Sequence, residues 1–117
     1  MRTKVYICGP YSNGIPVENV KESIAIADEL LDLGYQPFVP LLSHFWHLLF
    51  PRDYESWMEY DREWLLACDV VLRIPGHSLG ADREVLWAKA AGIPVVYDIA
   101  KLNTNDWPQR CHTLKGR

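Results

Sequence analysis

The chain has 117 residues, is 49% hydrophobic and carries a net charge of −3. That length is one domain's worth and enough for a real core, so a single domain over 1–117 is expected. A pI near 5.7 with no basic run argues against an electrostatic grip on nucleic-acid polymers or anionic membranes, and no apolar stretch nears the roughly 20 residues of a membrane span.

Residues 3–9, TKVYICG, are apolar and β-prone and stop at glycine, which predicts a buried first strand. The turn-forming segment GPYSNGIP follows. From Val17 to Leu33 apolar residues recur at helical spacing: Val17, Val20, Ile24, Ala27, Leu30 and Leu31. Lys21, Glu22, Asp28, Glu29 and Asp32 take the opposite face, and Gly34 ends the helix. YQPFVPLLSH reads as a second strand whose prolines assign it to an edge or a strand end. The aromatic HFWHLLFPRDYES reads as a loop with a short helix. A second helix is predicted from Trp57 to Ala67, and CDVVLRI is a third buried strand. A third helix runs from Leu79 to Ala91 and ends at Gly92, and IPVVYDI is the fourth strand. The tail from Asn103, with Trp107 and Pro108, has no period and is expected to be partly irregular.

Alternating strands and helices predict an α/β, flavodoxin- or Rossmann-like three-layer fold with a mostly parallel sheet of four or five strands. A strand order of 2-1-3-4 places the reversal between strands one and three. The loops GPYSNG and PGHSLG then face each other across one crevice.

The residues themselves leave several readings open. Ser78 is a reasonable helix N-cap, and the acids Asp82 and Glu84 near that helix start offset its dipole. The same loop amides also suit an anion. Asp61, among Glu59, Arg62 and Glu63, looks like part of a solvated helix face. Asp69 heads a strand and should lie away from the crevice. His44 and His47 lack a third ligand at metal spacing, so no metal and no cofactor is expected. His44, Phe45 and Trp46 instead read as walls of a pocket after the second strand. Cys8, Cys68 and Cys111 are odd in number and form no CxxC pair. Cys8 and Cys68 read as small buried hydrophobes. With no signal-peptide pattern before Val5, a reduced, cytoplasmic protein is the expectation.

VYICGPYSNG and PGHSLGADREVLWAKAAGIPVVY together resemble the nucleoside 2-deoxyribosyltransferase family. The closer likeness is to its 2'-deoxynucleoside 5'-monophosphate N-glycosidase branch and to small bacterial or phage relatives. It spans most of residues 3–98. The family's first-strand tyrosine and glycine turn match Tyr6 and Gly9, and its SxGxxxE helix start matches Ser78, Gly80 and Glu84. An aspartate just before a Trp-Leu pair matches Asp61 in DREWLLACDVV.

This resemblance implies roles. Glu84 would attack C1' of a ribosyl or deoxyribosyl ring, Tyr6 would hold that carboxylate, and Asp61 would assist departure of the base. Ser78 and the amides of 78–80 and of the 9–14 loop would bind a 5'-phosphate or the sugar hydroxyls, with Ser12 and Asn13 joining them. That loop lacks the basic residue of the glycosidase branch. His44 and Trp46 fall where the family lines its base pocket. A homodimer or higher homo-oligomer with shared sites is implied, as is a nucleoside or nucleotide as the small-molecule partner. The chemistry is coherent: an oxocarbenium-like transition state calls for one ionised and one protonated carboxyl. A helix N-terminus lowers the pKa of Glu84, whereas desolvation raises it. The alternative is a non-catalytic nucleotide or nucleotide-sugar sensor of the same fold.

Overall fold

The computed structural model describes residues 1–103. The expectation for the tail, including Trp107, Pro108 and Cys111, lies outside the described residues.

The elements alternate as the periodicity predicts. Strand β1 (Lys4–Cys8) leads into helix α1 (Pro16–Asp32), and β2 (Gln36–Phe38) is followed by a 3-10 turn at Pro40–Leu42. Helices α2 (Ser43–Leu49) and α3 (Tyr54–Leu66) precede β3 (Val70–Arg73). Helix α4 (Leu79–Ala90), strand β4 (Val95–Val96) and helix α5 (Ile99–Asn103) complete the described chain. The sheet is parallel throughout, in the order β2-β1-β3-β4. The proline-bearing β2 is therefore an edge strand, as Pro37 demands.

Alternation along the strands sorts two apolar layers. Val5, Ile7, Val70 and Leu72 pack with Ala27 and Leu30 of α1 and with Leu102. Tyr6, Cys8 and Val71 point the other way, against Leu65 of α3 and Ala81, Val85 and Ala88 of α4. A period of two thus sends Tyr6 to the face that α3 and α4 cover. Pro16 starts α1 with a φ suited to a first helical residue. Helices α1 and α4 both end with an amide reaching back to the last turn, Tyr35 N to Leu30 O at 3.0 Å and Ile93 N to Ala88 O at 2.8 Å.

Three local expectations are corrected. The buried stripe of α1 is Val20, Ser23, Ala27 and Leu30, while Val17, Ile24 and Leu31 are exposed. Those three lie to one side of the line that meets the sheet, which is too narrow to cover both rows. Helix α3 begins at Tyr54 rather than Trp57, because the Asp53 carboxylate accepts from Ser56 N at 2.8 Å and caps it there. The segment after β2 carries the short helix expected there, Ser43–Leu49, directly following the 3-10 turn. The fourth strand shrinks to Val95–Val96 at the sheet's edge, where only one side offers a pairing partner. Asp69 lies where expected, at the far end of the strands: fully buried, it accepts from Lys4 N at 2.8 Å.

Candidate active site

The loops after β1 and β3 meet at the carboxyl edge of the sheet. A Cβ on Gly9 would come within 2.8 Å of the Ile74 Cβ, so only glycine allows the two strand ends to approach this closely. Gly76 has φ +125, and a Cβ there would sit 2.6 Å from Pro10 Cγ. Asn13 joins the loops by donating to His77 O at 3.1 Å. Asn19, in the first turn of α1, donates to the carbonyls of Tyr11 and Asn13 at 2.8 and 2.9 Å and fixes the first loop from below.

These loops rim a cleft of about 790 Å³. Its lining includes Gly9, Ser12, Asn13, His44, Asp61, Ser78, Gly80 and Glu84, so eight of the ten residues expected at the site converge there. Tyr6, fully buried, lies beneath it and donates its hydroxyl to Glu84 Oε2 at 2.5 Å. Ser78 caps α4, its Oγ accepting from Ala81 N at 3.1 Å. The Leu79 and Gly80 amides, in the first turn, have no partner within the helix. Gly80 also keeps this end open: a Cβ would lie 3.3 Å from the Tyr54 hydroxyl.

Glu84 is not the cap of its helix. It sits in the second turn, turned inward and 6% exposed. Burial pushes its carboxyl up to about 7, against the opposing pull of the Tyr6 hydroxyl and the Arg73 guanidinium. Desolvation therefore outweighs the phenol and the guanidinium together. Tyr6 is driven well above the usual phenol value by burial and the neighbouring Glu84, so it remains a donor.

The solvated-face reading of Asp61 is overturned. Asp61 is 8% exposed and shares the buried stripe Met58, Asp61, Leu65, while Glu59, Arg62 and Glu63 face outward. That spacing of three and four was legible in the sequence, but the surrounding charges masked it. Its Oδ1 is buried with no hydrogen-bond partner, and burial, aided by the charge of Glu84, pushes its carboxyl up to about 8. Two buried carboxyls thus share one cleft, and the one with a donor loses its proton first.

Trp46 does not line the cleft. It is exposed on the outer side of α2, edge-on to Trp57 and Tyr60, and Phe45 also points outward. A helix presents only every third or fourth residue to one side, and here these are Ser43, His44 and His47. Their ring nitrogens are engaged: His44 Nδ1 with the Tyr11 hydroxyl at 2.6 Å, and His47 Nδ1 with Trp57 Nε1 at 2.9 Å and Arg52 N at 3.2 Å. As an acceptor at Nδ1, His47 carries its ring hydrogen at Nε2. Sequence reasoning also missed Tyr11, Arg52, Tyr54 and Trp57 as lining residues. Two carried a signal: Tyr11 lies in the GPYSNG loop, and Trp57 stands one turn before Asp61 on the same helix.

A family model described as a domain of unknown function, DUF4406, matches residues 3–97. No curated protein matches. Among solved structures, the chain is similar to a 2-deoxyribosyltransferase from the psychrotolerant bacterium Bacillus psychrosaccharolyticus, at 20% identity and a TM-score of 0.51. That likeness covers 80% of this chain and 69% of the other, and it is a likeness of fold. With residues 3–97 matched, the chain belongs to the DUF4406 family.

Proposed function

We propose that this protein breaks the N-glycosidic bond of a nucleoside or nucleoside 5'-monophosphate through a covalent glycosyl–Glu84 intermediate. The observation that carries the reading is a buried pair of carboxyls opening into one cleft, Glu84 held by a phenol and Asp61 with its buried Oδ1 unpartnered. A binding module gains little from a buried carboxyl without a partner, which costs stability. A glycosidic-bond enzyme needs one. The fold of the 2-deoxyribosyltransferase neighbour supports the same reading.

In the first step Glu84 Oε1 attacks C1' while Tyr6 keeps Oε2 in place. The C1'–N bond breaks with its electron pair going to the base, and Asp61 gives that base a proton. Water or a second base then attacks C1' and gives up its proton to the Asp61 carboxylate, as the C1'–O bond to Glu84 breaks and returns the carboxylate of Glu84. Water makes the enzyme a hydrolase; a second base makes it a transferase. The Leu79 and Gly80 amides, Ser78, Ser12 and Asn13 bind the sugar hydroxyls or a 5'-phosphate, and His44 borders the base.

The test is incubation with a panel of nucleosides and their 5'-monophosphates, followed by chromatography for free base. We expect release from at least one member of the panel, and a loss of at least about a thousandfold in Glu84→Ala. Equal release by wild type and Glu84→Ala would overturn the assignment of Glu84.

A further inference from the structure

One wall of the cleft carries a hydrogen-bond donor that the protein itself fixes. His47, on α2, lines the cleft, and its Nδ1 accepts from Trp57 Nε1 at 2.9 Å and from the Arg52 amide at 3.2 Å. Indole and amide N–H groups only donate, so both hold Nδ1 bare and the ring hydrogen at Nε2. No described residue accepts that hydrogen. Asp61 Oδ1 is the one buried side-chain polar atom without a partner among the described residues, so the Nε2 hydrogen of the half-buried His47 is not sealed in protein but opens on the cleft. His44, three residues earlier, differs. Its Nδ1 meets the Tyr11 hydroxyl at 2.6 Å, and a hydroxyl donates or accepts. His44 can therefore offer a ligand either tautomer, whereas His47 offers an N–H.

Glu84 comes from α4, Asp61 from α3 and His47 from α2. Helix α3 touches both neighbours: its Glu55 pairs with Arg83 of α4 at 2.9 Å, and its Trp57 bonds His47 of α2. Trp57 stands one helical turn, about 5.4 Å, before Asp61, and both line the cleft. A base held at Asp61, with its sugar at Glu84, therefore extends along Trp57 towards His47. We propose that His47 is a specificity-determining residue: it selects bases that carry a carbonyl oxygen, rather than an amino group, on the edge remote from the sugar. These are the 6-oxopurines and 4-oxopyrimidines. The inference rests on the reading of the cleft as a glycosidic-bond site. A carbonyl oxygen accepts from the Nε2 hydrogen. An amino group there sets donor against donor and leaves both without the water they gave up. The Arg52 side chain, also a donor, is exposed at the rim, where water competes for its hydrogens.

The experiment compares two pairs matched in size, 2'-deoxyinosine with 2'-deoxyadenosine and 2'-deoxyuridine with 2'-deoxycytidine, each as nucleoside and as 5'-monophosphate. In wild type, kcat/KM for the oxo member of a pair that is cleaved should exceed that for the amino member by at least about tenfold. His47→Gln, whose amide turns to donate or to accept, should bring the two within about threefold by raising the amino member. His47→Ala should do so by lowering the oxo member. Equal use of both members by wild type, or an unchanged preference in either variant when folded, would overturn the proposal. Nitrogen-15 NMR of the His47 ring without substrate should place the hydrogen on Nε2; a hydrogen on Nδ1 would overturn it as well. Calorimetry with the free bases separates this inference from the activity it rests on. Hypoxanthine or uracil bound in preference to adenine or cytosine, with that preference lost in His47→Gln but no base released from any substrate, would overturn the proposed activity and leave the role of His47 standing.

Discussion

On the β1–α4 side of the cleft, the buried carboxyl of Glu84 receives the Tyr6 hydroxyl and feels the Arg73 guanidinium. On the α3 side, the equally buried Asp61 has an oxygen with no partner at all. Burial raises both acids; donors and charge then separate them, to about 7 for Glu84 and about 8 for Asp61. The contrast teaches that two carboxyls on neighbouring helices need not have different burial to have different protonation. It is enough that one has a donor behind it and the other does not.

The sharpest way to break this contrast is Asp61→Asn. It removes the proposed proton donor and should slow base release by about a hundredfold to ten-thousandfold, the usual range for general acid catalysis. A substrate whose leaving group needs no proton should be spared most of that loss. Initial rates on the two kinds of substrate check it; an equal loss on both would remove Asp61 from the acid role.

Tyr6→Phe tests the other side. It leaves Glu84 buried without its donor, so release should fall by about tenfold. For wild type, the rate should rise as Glu84 ionises near pH 7 and fall as Asp61 ionises near pH 8, a narrow bell. In Tyr6→Phe the rising limb should move to higher pH, because the bond that favours the carboxylate is gone. A pH profile whose rising limb stays in place would separate Tyr6 from the charge of Glu84.

Stability gives a third and smaller readout. The folded-state pKa of Asp61 lies above its unfolded value, so the folded protein holds the extra proton. Stability from this group is full below about pH 4 and drains as pH rises towards 8. Asp61→Asn removes that drain. Its melting temperature relative to wild type should be higher at pH 8 than at pH 5, and each further ~1 kcal/mol of advantage corresponds to roughly 4 °C at this size. Calorimetry at the two pH values checks it. The smallest effect is expected from Trp46→Ala, outside the cleft: base release within about twofold of wild type.

The half of the site built on strand β1 and helix α4 was legible in the sequence. Ser78 follows from the grammar of a helix start, and Tyr6 and Gly80 were reached through the family resemblance; alternation along the five-residue strand then explains why Tyr6 faces α3 and α4. The solvated-face reading of Asp61, which the family resemblance already opposed, and the pocket-wall reading of Trp46 failed for one reason: both residues lie on helices whose inward face is chosen by the partner they pack against. The charges around Asp61 suggested solvent, and the aromatic character of Trp46 suggested a pocket, yet the first faces the cleft and the second does not.

The order of strands and helices, the parallel sheet and the convergence of two glycine-bearing loops were determined by the sequence alone. Hydrophobic period, helix ends and right-handed crossovers are short-range properties, and the chain carries them residue by residue. Which face of α2 and α3 turns inward, and which carboxyl keeps its proton, were decided only by tertiary structure. Those depend on burial and on donors brought from far away, as when Tyr6 reaches a carboxyl 78 positions along the chain.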